Sequence, residues 1–144
     1  MDPLSAIIRK AEPSDINQMT GLLKELFSLE EYFTFNKAAQ REGLSMMLDN
    51  NEKRCIMAAA SEKQIMGMCT AQLLVSTAEG GMAALIEDMI VAKLYREMGI
   101  GKKLFLAIEK WRIKMVQKEC SFYPTKIILM PLIFIKNKNG KQRN

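Results

Sequence analysis

Histidine is absent from all 144 residues. That removes imidazole as general base, nucleophile partner or metal ligand, so Ser–His–Asp triads and HExxH zinc sites are excluded. Any chemistry falls to carboxylates, tyrosines, thiols, backbone amides or water. Cysteine is scarce: Cys55, Cys69 and Cys120 are odd in number and far apart, matching neither a disulfide framework nor a zinc-ligand pattern. Reduced, buried thiols and no metal are the expectation. No apolar run reaches the ~18 residues of a membrane span, and the N-terminus lacks the basic-then-apolar pattern of a signal peptide. These two absences predict a soluble, cytoplasmic protein with no membrane partner.

Charge of one sign is also thinner than it looks. The formal net charge is +5, but Lys136, Lys138, Lys141 and Arg143 supply four of those charges with no acid among them. The basicity is mostly a tail, and no aromatic side chains are interleaved with it, which argues against nucleic acid as a partner.

What is present is enough apolar material, 49% of the chain, for one packed core in a length too short for two ordinary domains. Residues 1–144 therefore read as one domain. Ile7 to Ala11 reads as a short strand. Pro13-Ser14-Asp15 then opens a helix with Ser14 as N-cap, followed by Ile16, Met19, Leu22, Leu23 and Leu26 at helical spacing. Asn36 is placed to cap a second helix, with Ala39, Leu44, Met47 and Leu48 along one side. Between them, Glu30, Glu31, Tyr32, Phe33 and Phe35 form a connector or a loop facing substrate. Arg54 to Ala60 and Ile65 to Ser76 read as an antiparallel hairpin across Ser61–Gln64. Thr77 to Gly81 is a further turn, and Ala84 to Val91 a third strand of that sheet. From Gly101, the spacing Leu104, Ile108, Trp111, Met115 marks an amphipathic helix. The order is that of an α+β (mixed α/β) domain whose sheet is largely antiparallel to this point.

Ile86 to Phe105 carries the sharpest signal. A glycine-rich junction from strand to helix lets backbone N–H groups approach an anion, helped by the partial positive charge of the helix N-terminus. Gly99-Ile100-Gly101 lacks the third glycine of G-x-G-x-x-G, and no G-x-x-x-x-G-K-[ST] occurs, so dinucleotide and P-loop folds are excluded. Arg96, Gly99 and Gly101 instead spell R-x-x-G-x-G behind the apolar strand Ile86-Glu87-Asp88-Met89-Ile90-Val91 and the pair Tyr95-Arg96. This resembles the acetyl-CoA signature of the GNAT superfamily of N-acetyltransferases, and the order of elements extends the resemblance over residues 7 to 121. It implies the family's acyl-CoA N-acyltransferase fold. It also implies acetyl-CoA as co-substrate, with a diphosphate on the amides of Arg96, Glu97, Met98, Gly99, Ile100, Gly101 and Lys102. Met89, Ile90 and Val91 would line the pantetheine arm through their backbone. A small-molecule amine is the implied acceptor, and a homodimer the assembly that the family and an apolar C-terminal stretch suggest.

In the resemblance Glu87 occupies a carboxylate position that serves some family members as general base, directly or through water. On an otherwise apolar strand such an acid faces a cleft or a partner. Asp88 points to the opposite side unless a bulge intervenes, and the family carries one nearby. The family's proton-donating tyrosine, in a run like A-x-x-L-Y-x-x-x-G-[FW], has no counterpart. Phe122-Tyr123-Pro124 and an apolar Ile127 to Ile135 interrupted by Pro131 stand there instead, so 122–144 is an atypical tail and no general acid is assigned. An out-of-frame reading of Phe122 to Asn144 permits a segment closer to the family pattern, which makes a frame-shifted end one expectation. Ile127 to Leu129 is expected to pair beside Ile86 to Val91. The alternative function is an acyl-CoA-binding protein with little or no catalysis.

Overall fold

Two short polar turns, Ser61–Gln64 and 77–80, fold the middle of the chain into three successive antiparallel strands. The computed structural model describes residues 5–29, 34–50, 52–119 and 126–129. Glu30, Glu31, Tyr32, Phe33, Cys120, Tyr123 and the stretch suggested to be frame-shifted, apart from 126–129, lie outside them.

Strands β1 (Ile7–Lys10), β2 (Arg54–Ala60), β3 (Ile65–Ser76) and β4 (Gly81–Val91) lie side by side in chain order, each antiparallel to the next. A fifth, β5 (Lys126–Leu129), runs parallel to β4. Gly80, at φ +67°, supplies the left-handed residue that ends the second turn. The ladder therefore restarts at Ser76↔Gly81, and β4 begins three residues before the expected Ala84. β5 pairs with Ala83 to Ile86, earlier along β4 than the expected Ile86 to Val91.

Helices α1 (Ile16–Ser28) and α2 (Lys37–Met47) cover one face, and α3 (Ile100–Glu119) the other. Asn36 caps α2 as its sequence predicts, its side chain accepting from the Ala39 N–H at 3.1 Å. Ser14 does not cap α1. Pro13 starts a 3-10 turn first, and Glu12 and Asp15 cap that turn reciprocally, the Glu12 N–H donating to Asp15 Oδ2 at 2.8 Å. The Arg9 guanidinium donates to both Asp15 oxygens, at 2.7 and 3.1 Å, and holds that buried carboxyl below the usual carboxylate range.

Two apolar clusters flank the sheet. Leu104, Ile108, Trp111 and Met115 of α3 are buried against Met57, Cys69, Ala71, Ala84 and Ile86. On the opposite face Met19, Leu22, Leu23, Leu26 and Leu44 meet Ile56, Ala58, Met68 and Ile90. Each fully buried side chain of this size contributes about 1.5–3 kcal/mol, so the helical spacings singled out in the sequence are the ones that hold the layers together. Cys55 and Cys69 are free and buried, and burial pushes both thiols up to about 12.

Candidate active site

A slip of one residue in the β3–β4 ladder creates the site. Thr70 pairs with Glu87 and Met68 with Ile90, so two residues, Asp88 and Met89, stand opposite Cys69 alone. This is a β-bulge. Asp88 takes φ +50°, a left-handed conformation that aspartate tolerates better than most residues. The Thr70 hydroxyl, buried in the sheet, donates to the Glu87 carbonyl at 3.0 Å and satisfies a backbone group beside the irregular rung.

The slip inverts the side-chain alternation. Ile86 and Met89, three residues apart, both pack toward α3, while Ile90 packs toward α1 and α2. Glu87 and Asp88, adjacent in sequence, consequently line one cavity of about 320 Å³ on the α1/α2 side. Phe27 of α1, Met46 and Met47 of α2, and Gln72 of β3 complete much of its wall. The opposite orientations that strict alternation gives the two acids do not occur, because the bulge intervenes. At the mouth of the α1–α2 connection, Lys24 sits over the Phe35 ring, 5.8 Å from its centroid.

Past Ile86, β4 has no strand on its outer side among the described residues. The Ala92 N–H turns inward to the Met66 carbonyl at 2.8 Å, so by the alternation of a ladder the N–H and C=O of Val91 point outward, and those of Met89 share that direction. The outward Val91 carbonyl is already taken: Arg96 Nε donates to it at 2.9 Å. The same guanidinium reaches Glu25 of α1 at 2.7 Å. Arg96 is thus a strut between strand, turn and α1, a role its place in the motif did not reveal.

The turn that follows is built on positive φ at Glu97 (+63°) and Gly99 (+83°). α3 starts at Ile100, and the Lys103 N–H closes the first turn onto the Gly99 carbonyl at 3.1 Å. The N–H groups of Ile100, Gly101 and Lys102 lie in the first turn, where a helix has no internal acceptors, and Gly99 has no side chain to offer one. A Cβ on Gly99 would meet nothing within 4 Å, and one on Gly101 only Val91 Cγ2 at 4.0 Å. Backbone conformation accounts for Gly99. Gly101 has neither a positive φ nor a crowded neighbour, so nothing within the described chain requires it to be glycine. A cradle kept open beside donors at a helix start fits an anionic group from outside the chain.

A mostly antiparallel sheet with helices on both faces, a bulged strand with an open outer edge and a glycine turn leading into a helix define the acetyltransferase type of α+β domain. The family model described as "Acetyltransferase (GNAT) family" matches residues 20–121, and the chain belongs to that family. Solved structures agree on the fold. A possible acetyltransferase from Clostridium difficile 630 superposes with a TM-score of 0.68 at 15% identity, over 96% of this chain and 91% of that one. A predicted acetyltransferase with acetyl-CoA from Clostridium acetobutylicum gives 0.63 at 17%, over 96% and 91%. An aminoglycoside acetyltransferase from an uncultured soil metagenomic sample, in complex with sisomicin, gives 0.62 at 19%, over 96% and 91%. No curated protein matches the sequence.

Among the described residues no helix is long and apolar enough to cross a membrane, and no three acidic or cysteine side chains gather as a metal site. The missing tyrosine run falls outside the described residues. Two elements escaped the sequence: the Thr70 hydroxyl and the Arg96–Glu25 strut. Counting back from the 77–80 turn would have set Thr70 opposite Glu87; no local pattern announces the strut.

Proposed function

We propose that the chain transfers an acetyl group from acetyl-CoA to the amine of a small molecule, with Glu87 as general base. The observation that carries this is the juxtaposition of two features at one end of β4: the open glycine cradle at the start of α3, and two carboxylates lining a cavity on the other side of the strand. The amides of residues 97–102, with the helix N-terminus behind them, are suited to the diphosphate. The outward backbone of Met89 and the Val91 N–H are suited to the pantetheine arm; the Val91 carbonyl is reserved for Arg96. The co-substrate supplies an activated acetyl thioester. The cavity suits a cationic acceptor, because Glu87 and Asp88 place negative charge at its base, while Arg54 on its wall is turned to Asp49 at 3.0 Å.

An alkylammonium must lose a proton before its nitrogen can attack a carbonyl, and the Glu87 carboxylate takes it, directly or through one water. The C–N bond then forms as the thioester C–S bond breaks, and coenzyme A leaves as a thiolate that takes a proton from water. The bulge matters because it puts the open edge of β4 and the acids on the same short stretch. The similarity to an aminoglycoside acetyltransferase is in keeping with a polyamine-like acceptor. Thiol release from acetyl-CoA, followed across a panel of small amines, tests the reading; binding of coenzyme A without turnover of any amine would favour the other one. That second reading, an acyl-CoA-binding protein, is supported by the sequence after Ser121, which lacks the family's tyrosine run.

A further inference from the structure

A second cavity lies elsewhere, between β1 and α3, and measures about 690 Å³, within the ~300–1,000 Å³ range of small-molecule sites. Its floor is apolar, built by Met57, Trp111 and Met115 with the half-exposed Leu106 at its side. Its rim is basic, carrying Lys10, Lys103, Lys110 and Lys114. Arg9 also lines it but is committed to Asp15, and Glu52 is the acid on the rim. None of residues 87–102 contributes to it.

Three observations argue that this groove holds something. Lys103, Lys110 and Lys114 recur at seven and four residues, which sets them along one side of α3. Like charges at i,i+4 repel, and among the described residues neither Lys110 nor Lys114 has a carboxylate partner, so an anion in the groove would relieve the pair. Trp111 is only 5% exposed, and its indole N–H is buried without an acceptor. An orphaned donor of this kind is uncommon and calls for an acceptor. A bound oxygen, admitted by adjustment of the groove wall, would supply it.

We propose that the β1–α3 groove binds a small amphiphile with an anionic head, a carboxylate on an aliphatic or aromatic body, with the body on Met57, Leu106 and Met115 and the head among the lysines that flank Trp111, where an oxygen can accept from its indole N–H. The site is separate from the acetyl-transfer site and does not depend on its assignment. Apolar surface alone would accept any hydrophobe; the ring of lysines selects the negative head.

Trp111 is the only tryptophan in the chain, so its emission reports on this groove directly. The full chain is titrated with sodium decanoate, decyltrimethylammonium and 1-decanol, each below its micelle concentration. Decanoate should change the emission saturably, with the other two weaker by roughly tenfold or more, the scale of one charge-assisted contact. The double variant Lys110→Glu/Lys114→Glu, both exposed positions, should keep the far-UV spectrum and the affinity for coenzyme A but lose a similar factor for decanoate. An equal response to all three probes, no saturable response, or loss of the decanoate signal when coenzyme A is saturating would overturn the proposal. So would sedimentation showing that decanoate acts only by dissociating a dimer.

Discussion

From Ala83 to Ile86, β4 is held on both edges, by β3 and β5, and its residues Ala84 and Ile86 are almost fully buried. From Glu87 to Val91 the same strand is held by β3 alone among the described residues, carries a bulge and a left-handed aspartate, and exposes its outer backbone. One strand thus does two jobs in sequence. Its regular half gains stability from complete pairing and packing; its irregular half gives up a rung and in return turns two acids to one side and has no second strand beside it among the described residues. The boundary is a single inserted residue.

The comparison breaks most visibly under Glu87→Gln. If the irregular half is chemical, turnover should fall about 10²–10⁴-fold, the usual share of a general base, while calorimetry finds coenzyme A binding unchanged. The matching change in the regular half, Ile86→Ala, should cost about 2–5 kcal/mol in denaturant unfolding, with the folded fraction still turning over. Gly101→Leu sharpens the contrast between packing and binding. The position is uncrowded and of ordinary φ, so stability should hold while affinity for coenzyme A drops roughly tenfold or more. Loss of folding instead would show that the open space serves the chain itself.

Smaller effects test the bulge and a control. Thr70→Val leaves the Glu87 carbonyl without its hydroxyl and should destabilise by about 1 kcal/mol, raising KM for the amine if Glu87 and Asp88 shift. The Arg9–Asp15 pair lies away from β4. Asp15 has a lowered pKa in the folded chain, so unfolded molecules take up its proton first as pH falls. The pair's contribution is therefore complete above the ordinary carboxylate range and is lost as pH drops through the depressed value. The effect is small, because Arg9 is a third exposed. Replacing Arg9 by Leu should flatten that part of the acid limb without touching activity.

The layers were legible because they rest on periodicity. Leu104, Ile108, Trp111 and Met115 stand at helical spacing and all four are buried, and β2 and β3 fall where apolar runs bounded by turn residues set them. The glycine turn was legible for another reason, since only a few backbones require that pattern before a helix. What stayed hidden depends on register and long-range contact. Ser14 reads as a cap until Arg9, six residues from Asp15, draws the aspartate in. Arg96 holds a fixed place in the glycine motif, but its side-chain partner Glu25 lies 71 residues away in sequence and no local pattern points to it. Whether Asp88 joins Glu87 depends on one unpaired rung, invisible in either strand taken singly.

Every strand of the sheet pairs with the one made just before it, from β1 through β5. A chain emerging from the ribosome therefore presents each new strand to a template already outside the tunnel. Among the described residues the parallel strand, which needs the crossover helix α3, comes last and docks on the edge that β4 leaves. Such an arrangement lets β5 vary without disturbing assembly of the four strands that precede it, so change in this sheet is cheapest at its parallel edge.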